Sequence, residues 1–234
     1  MKDKTIPYRV DIAGSWADHP FINAVSPASV ICAKITGNFK KGMGLSGSTR
    51  ETIKKYKNKS LEYLFLVENE GKSFMSGSQD LLGIMIPGVK MLKYDQSYWP
   101  DMSATEYLTK QQAQYLEKVL YLIPTFERAK DLNVIGRIDI TKMKAKEFSK
   151  STQRVWGYIK EMNTKRLGEE ITLNDYLLNS IMPNRVNAKL NDITSKLSLD
   201  KDILGYKICG AGGGGYILAV SEKQVKGGIK FKII

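Results

Sequence analysis

Residues 7–12 (Pro-Tyr-Arg-Val-Asp-Ile) alternate polar and apolar positions, and 28–36 form a run rich in β-branched side chains. Both predict strands, separated by a polar, glycine-containing loop over 13–20. Ser48 or Thr49 can cap a helix, and Leu61, Leu64, Phe65 and Glu68 follow at helical spacing. That predicts one helix reaching about Asn69. Residues 76–83 read as a polar turn bounded by glycines, with Asp80 inside it. The apolar stretch 84–93, which carries Pro87-Gly88, predicts a strand that starts after a turn. Residues 105–130 and 142–163 read as amphipathic helices, and 175–197 as one or two more, broken near Pro183. Residues 216–220 and 229–234 predict the last strands. A β-rich first part, a helical middle and a closing pair of strands indicate an α+β fold rather than regular βαβ alternation. The change of character over 88–100 suggests a division into 1–92 and 93–234.

Directly before the strand at 216–220, positions 210–215 hold five glycines in six residues. Glycine inside a strand costs stability, so a cluster there needs a reason. A tight turn between two strands is one; close approach of another group to a bare main chain is the other. The run fits neither a Walker nor a Rossmann spacing, because it lacks a Gly-Lys-Ser/Thr ending and leads into a strand.

Composition adds bounds. The chain has 234 residues, enough for one large domain or two small ones. No apolar run is long enough to span a bilayer, and the first residues lack the apolar core of a signal peptide. Cys32 and Cys209 have no CxxC partner, which points to a reducing compartment and away from a cysteine metal site. A cytoplasmic protein with no membrane partner is expected. The net charge of +12 is compatible with nucleic acid or phosphorylated small molecules. The lysines are spread over many segments without one basic block, however, so solvated helix faces account for them and nucleic acid is not the expected partner.

Four loops carry the candidate chemistry: 9–20, 42–49, 76–83 and 210–215. They contain Arg9, the acids Asp11, Asp18 and Asp80, and two small-residue runs. A small-residue loop that opens a helix offers free N–H groups to a phosphate, although 42–49 reads equally as a simple cap. The single histidine, His19, excludes schemes that need several.

The order of these loops is informative. Pro7-Tyr8-Arg9-Val10-Asp11-Ile12-Ala13-Gly14-Ser15-Trp16-Ala17-Asp18-His19-Pro20 resembles the first motif of the GHMP small-molecule kinases, in the form found in fucokinases and heptose-phosphate kinases. Gly77-Ser78-Gln79-Asp80-Leu81-Leu82-Gly83 with Ile86-Pro87-Gly88-Val89-Lys90 resembles their Gln-Asp motif, and the stretch from Lys207 to Leu218 resembles their third. The resemblance implies a ribosomal-S5-like N-terminal half, shortened here, and a ferredoxin-like C-terminal half. It implies an ATP-dependent sugar kinase using Mg²⁺, acting on the anomeric hydroxyl of fucose or a heptose phosphate, with sugar or sugar phosphate and ATP as partners and a homodimer left open. Asp80 and Arg9 would be catalytic. Asp18, His19, Gly14, Gly212 and Gly213 would line the sugar site. Gly42, Gly44, Leu45, Ser46, Gly47 and Ser48 would bind ATP, with Ser48 and Glu68 on the metal.

Two departures accompany the likeness. The family loop reads Gly-Leu-Gly-Ser/Thr-Ser, whereas Gly44-Leu45-Ser46-Gly47-Ser48 exchanges Ser and Gly, and Arg50 replaces a small residue. Only 37–41 separate the second strand from this loop, where family members insert further strands. These features favour one alternative, a catalytically impaired member that senses sugar or nucleotide; the S5-like half and the charge of +12 frame another, an RNA-binding protein. The second leaves the Asp80 loop unexplained.

Overall fold

The computed structural model describes residues 6–40, 43–129 and 131–234. Its elements, in order, are β1 (Tyr8–Ala13), α1 (Pro20–Asn23), β2 (Ala28–Thr36), α2 (Gly47–Lys55), α3 (Leu61–Asn69), α4 (Gln79–Met85), β3 (Val89–Tyr94), β4 (Glu106–Tyr107), α5 (Lys110–Val119), β5 (Leu120–Pro124), α6 (Lys142–Lys160), α7 (Thr164–Ile181), α8 (Ala188–Leu199), β6 (Gly205–Ile208), β7 (Tyr216–Val220) and β8 (Lys232–Ile233). An α+β architecture with two antiparallel sheets results. The first has the order β1-β2-β3-β4 and takes β8 against the end of β2; the second has the order β5-β7-β6.

The central strand β2 has both faces to cover. Ile31, Ala33 and Ile35 face a core with Val155, Trp156 and Ile159 of α6, Leu167 and Ile171 of α7, and Leu218 and Val220 of β7. The alternate residues Val30 and Cys32 pack with Leu82 of α4, so both sides of the pleat are buried. The sheets thus share one core, with α6 and α7 between them. α6 forms because Ala145, Phe148, Thr152, Val155, Trp156 and Ile159 fall on one face, and Thr141 caps it by accepting the Lys144 N–H at 3.2 Å.

Several expectations change. The helix to Asn69 is two helices: Asn58 is left-handed (φ 63°), and Ser60 caps a second start by accepting the Tyr63 N–H at 3.2 Å. The first begins at Gly47, with Ser46 rather than Ser48 or Thr49 at the cap position. Asp80 lies in the first turn of a helix, not in a turn, and the following strand starts only at Val89. The stretch 105–130 is not one helix: α5, opened by the Thr109–Gln112 capping box, runs straight into β5. Helix and strand periods are hard to separate over short apolar runs such as Leu120 to Ile123. The closing strands are not partners, since β7 pairs with β5 and β6 while β8 pairs with β2. The expected boundary at 92/93 falls inside β3.

Candidate active site

β1 places Arg9 and Asp11 on the same face, two residues apart, and both are buried. Arg9 Nη1 pairs with Asp11 and Nη2 with Asp80 of α4. From β6, Lys207 Nζ donates to Asp11 Oδ2 at 3.0 Å, to the Asp11 carbonyl at 3.0 Å and to Ser15 Oγ at 2.9 Å. The Ser15 hydroxyl also donates to Asp11. The result is an alternating chain, Asp80–Arg9–Asp11–Lys207, that crosses from one sheet to the other. Burial alone would lower the Arg9 pKa, but Asp80 and Asp11 outweigh it and hold the guanidinium above its ordinary range. Burial likewise opposes ionisation of Asp11, yet Lys207 and Arg9 bring it down to about 2. Gly83 makes room for this arrangement: a Cβ there would sit 3.0 Å from Arg9 Cβ.

A cavity of about 230 Å³ opens beside this chain. Arg9, Asp80, Arg128, the loop 43–48 and residues 209–211 and 214–216 line it. Gly44 (φ 91°), Leu45 (φ 59°) and Ser46 (φ 63°) are left-handed in succession and lead into α2. For Leu45 and Ser46 this conformation costs of order 1–2 kcal/mol each. The wound loop and the N-terminus of α2 therefore border the cavity, where free N–H groups and the helix dipole favour an anion. A larger cleft of about 830 Å³, lined by Trp99, Trp156 and the half-exposed Lys93–Glu106 pair, contains none of the motif residues.

Glu68 lies behind the loop. Its Oε1 accepts hydrogen bonds from Thr49 Oγ1 at 2.6 Å and from Ser48 Oγ at 3.4 Å. Burial raises its pKa, and no cationic side chain pairs with it among the described residues. A buried carboxylate beside a hydroxyl, without a counter-cation, suits Mg²⁺, which takes one or two protein oxygens and completes its shell with phosphate and water. The described residues contain no group of three or more His, Cys, Asp or Glu that could hold a metal on their own.

The expected sugar-facing residues sit apart from the cavity. Asp18 Oδ2 accepts the Gln79 N–H at 3.0 Å under Gly77, whose Cβ would strike that carboxylate. His19 stacks on Phe74, with ring centroids 5.2 Å apart, and borders Trp16 at 4.8 Å. Burial pushes Asp18 up to about 7 and His19 down to about 3. Asp18 Oδ1, His19 Nδ1 and Gln79 Oε1 have no hydrogen-bond partner among the described residues. Gly14 is packed inside: a Cβ would meet the Ser29 carbonyl, and its N–H donates to Asn174 at 3.0 Å.

Among the expected residues, Arg9, Asp80, Gly44, Leu45, Ser46, Gly47 and Ser48 meet at the cavity, whereas Asp18, His19, Gly14, Glu68, Gly212 and Gly213 do not line it. Gly42 lies outside the described residues. Sequence reasoning missed Lys207, Arg128 and Arg185. A lysine inside the apolar end of β6 was a legible signal; nothing near Arg128 marked it.

No protein-family model matches the sequence, and no curated protein does. Solved structures do match. The galactokinase of Lactococcus lactis, complexed with galactose, aligns with a TM-score of 0.62 at 13% identity, over 92% of this chain and 84% of its own. The D-glycero-D-manno-heptose 1-phosphate kinase of Bacteriodes thetaiotaomicron gives 0.60 at 10%, over 97% and 94%. The mevalonate kinase of L. major, in complex with R-mevalonate, gives 0.56 at 14%, over 96% and 88%. With the two sheets, the wound loop before α2 and the glycine run between β6 and β7 in place, the chain has the fold of the GHMP kinases.

Proposed function

We propose that the chain is an ATP-dependent kinase that phosphorylates a hydroxyl of a sugar or sugar phosphate, the anomeric hydroxyl of fucose or a heptose phosphate being the favoured acceptor. One observation carries the reading: Asp80, fixed by Arg9, stands across a single cavity from a left-handed loop that opens a helix. Phosphoryl transfer asks for positioning and charge neutralisation more than covalent chemistry. The N–H groups of 44–48 would hold phosphate oxygens, with no Walker lysine required. Asp80 would accept the acceptor hydroxyl's hydrogen bond and take its proton as the new O–P bond forms and the bond to the leaving diphosphate breaks. Arg9 keeps that carboxylate aimed. Ser48 and Glu68 would hold Mg²⁺, which when bound neutralises phosphate charge. Asp18, buried and not lining the cavity, would take a sugar hydroxyl only after the surrounding loops open.

The test is MgATP-dependent ADP release across L-fucose, galactose, mannose and heptose 7-phosphate. At least one sugar should drive release, and Asp80→Asn should lower the rate by about 10²–10⁴-fold. The burial of Asp18 and His19 away from the cavity favours a second reading, a nucleotide or sugar sensor without turnover. Measurable nucleotide binding with no ADP release on any sugar would select it.

A further inference from the structure

Charge around the cavity is unevenly satisfied. Arg9 is held between two carboxylates, and Lys207 by one of them, so the chain Asp80–Arg9–Asp11–Lys207 carries no net charge. Arg128 differs. Its Nε donates to the Gly212 carbonyl at 2.7 Å, while among the described residues it forms no ion pair and its two terminal nitrogens make no hydrogen bond. It lines the same cavity as Arg9, Asp80 and the loop 43–48. Desolvation of the guanidinium, and after it the nearby Arg185, lower its pKa, although the residue as a whole is exposed.

The glycine run puts it there. Gly215 N donates to the Phe126 carbonyl at 2.7 Å, and Thr125 N returns a bond to the Gly215 carbonyl at 2.8 Å. A Cβ on Gly214 would come within 2.7 Å of the Phe126 carbonyl and 3.2 Å of Arg128 N; one on Gly213 would lie 3.3 Å from Arg128 Cγ. Only a bare main chain lets 125–128 lie this close, with the Arg128 guanidinium turned into the cavity. Arg185, fully buried, fixes the run from behind by donating to the Gly210 carbonyl at 3.3 Å and accepting the Gly213 N–H at 2.8 Å on its own carbonyl.

We propose that Arg128, the cavity-lining cation without an ion pair among the described residues, binds the terminal phosphate of a nucleoside triphosphate, a role Arg9 cannot fill while neutralised by Asp11 and Asp80. The inference rests on the kinase reading and names the residue that separates triphosphate from diphosphate. A planar guanidinium with two open nitrogens suits bidentate contact with phosphate oxygens.

The test is fluorescence titration of the MgCl₂-supplemented protein with N-methylanthraniloyl-labelled ADP and the β,γ-imido analogue of labelled ATP. Arg128→Met should weaken the triphosphate analogue by about 10–100-fold and change ADP affinity less than about twofold. Arg128→Lys, which keeps the charge but not the fork, should recover part of the loss. Melting temperatures of both variants report folding separately. Unchanged binding of both nucleotides, or an equal loss of both, would overturn the assignment while leaving the kinase reading intact. Wild-type protein that binds neither nucleotide would overturn both.

Discussion

At the scale of single residues, Asp18 makes the clearest thermodynamic prediction. Its carboxyl is buried and its pKa stands at about 7, far above the ordinary carboxylate range. The native state therefore holds a proton that the unfolded chain gives up near pH 4. The sign follows: this group destabilises the native state progressively as pH rises from about 4 to about 7. Asp18→Asn removes the ionisation and keeps the shape. Its melting temperature should match wild type near pH 4 and exceed it by several degrees at pH 8, at about 2–4 °C per kcal/mol for a chain of this size. Parallel melting curves over that pH range would show that the carboxyl is not desolvated. Arg9, Asp80 and the loop residues were legible as a set from their order along the chain. Arg128 was not, because its role depends on a guanidinium reaching across from a segment with no motif of its own.

At the scale of elements, the glycine run answers to both of its readings at once. It is the connection between the antiparallel neighbours β6 and β7, and it is a surface against which other backbone lies. Those two uses separate by position. Gly210 has φ 58° with nothing within 4 Å of its missing Cβ, whereas a Cβ on Gly215 would lie 2.8 Å from the Met43 carbonyl at the start of the wound loop. Gly210→Ala should cost about 1–2 kcal/mol by backbone strain and lower nucleotide affinity less than Gly215→Ala does, since its Cβ meets no other atom within 4 Å. Gly215→Ala should add a loss of nucleotide affinity of about tenfold or more, because the loop 43–48 must shift. Equal affinities in the two variants would mean that the run is only a turn. Gly213, with φ 72° and Leu132 where its Cβ would stand, tests folding rather than the site. The helix boundaries at 55–61 and 119–120 escaped the pattern for a different reason. Local stops such as Asn58 and the strand-prone Leu120 to Ile123 act within otherwise continuous apolar periodicity.

At the scale of the whole molecule, Lys207 fastens β6 of the second sheet to β1 of the first through Asp11. Strand order and partners were beyond the pattern, since it said nothing of which sheet β8 or β6 would join. Removing Lys207 leaves Asp11 only Arg9, which Asp80 shares, so Lys207→Met should lower stability by up to about 3–5 kcal/mol in urea denaturation. Adding Asp11→Asn should recover part of that loss; strictly additive losses would show that the pair does not couple the sheets. The net charge of +12 has no concentrated counterpart in the cavity, whose motif ions largely neutralise one another. The account as a whole stands on the claim that this cavity moves a phosphoryl group from ATP to a hydroxyl aimed at Asp80. The most direct measurement is a single-turnover reaction with γ-³²P-ATP, excess protein, Mg²⁺ and the sugar that best drives ADP release. Label should pass to the sugar with wild-type protein and stay on ATP with Asp80→Asn, at equal bound nucleotide. Label released only as inorganic phosphate, or transferred equally by Asp80→Asn, would contradict it.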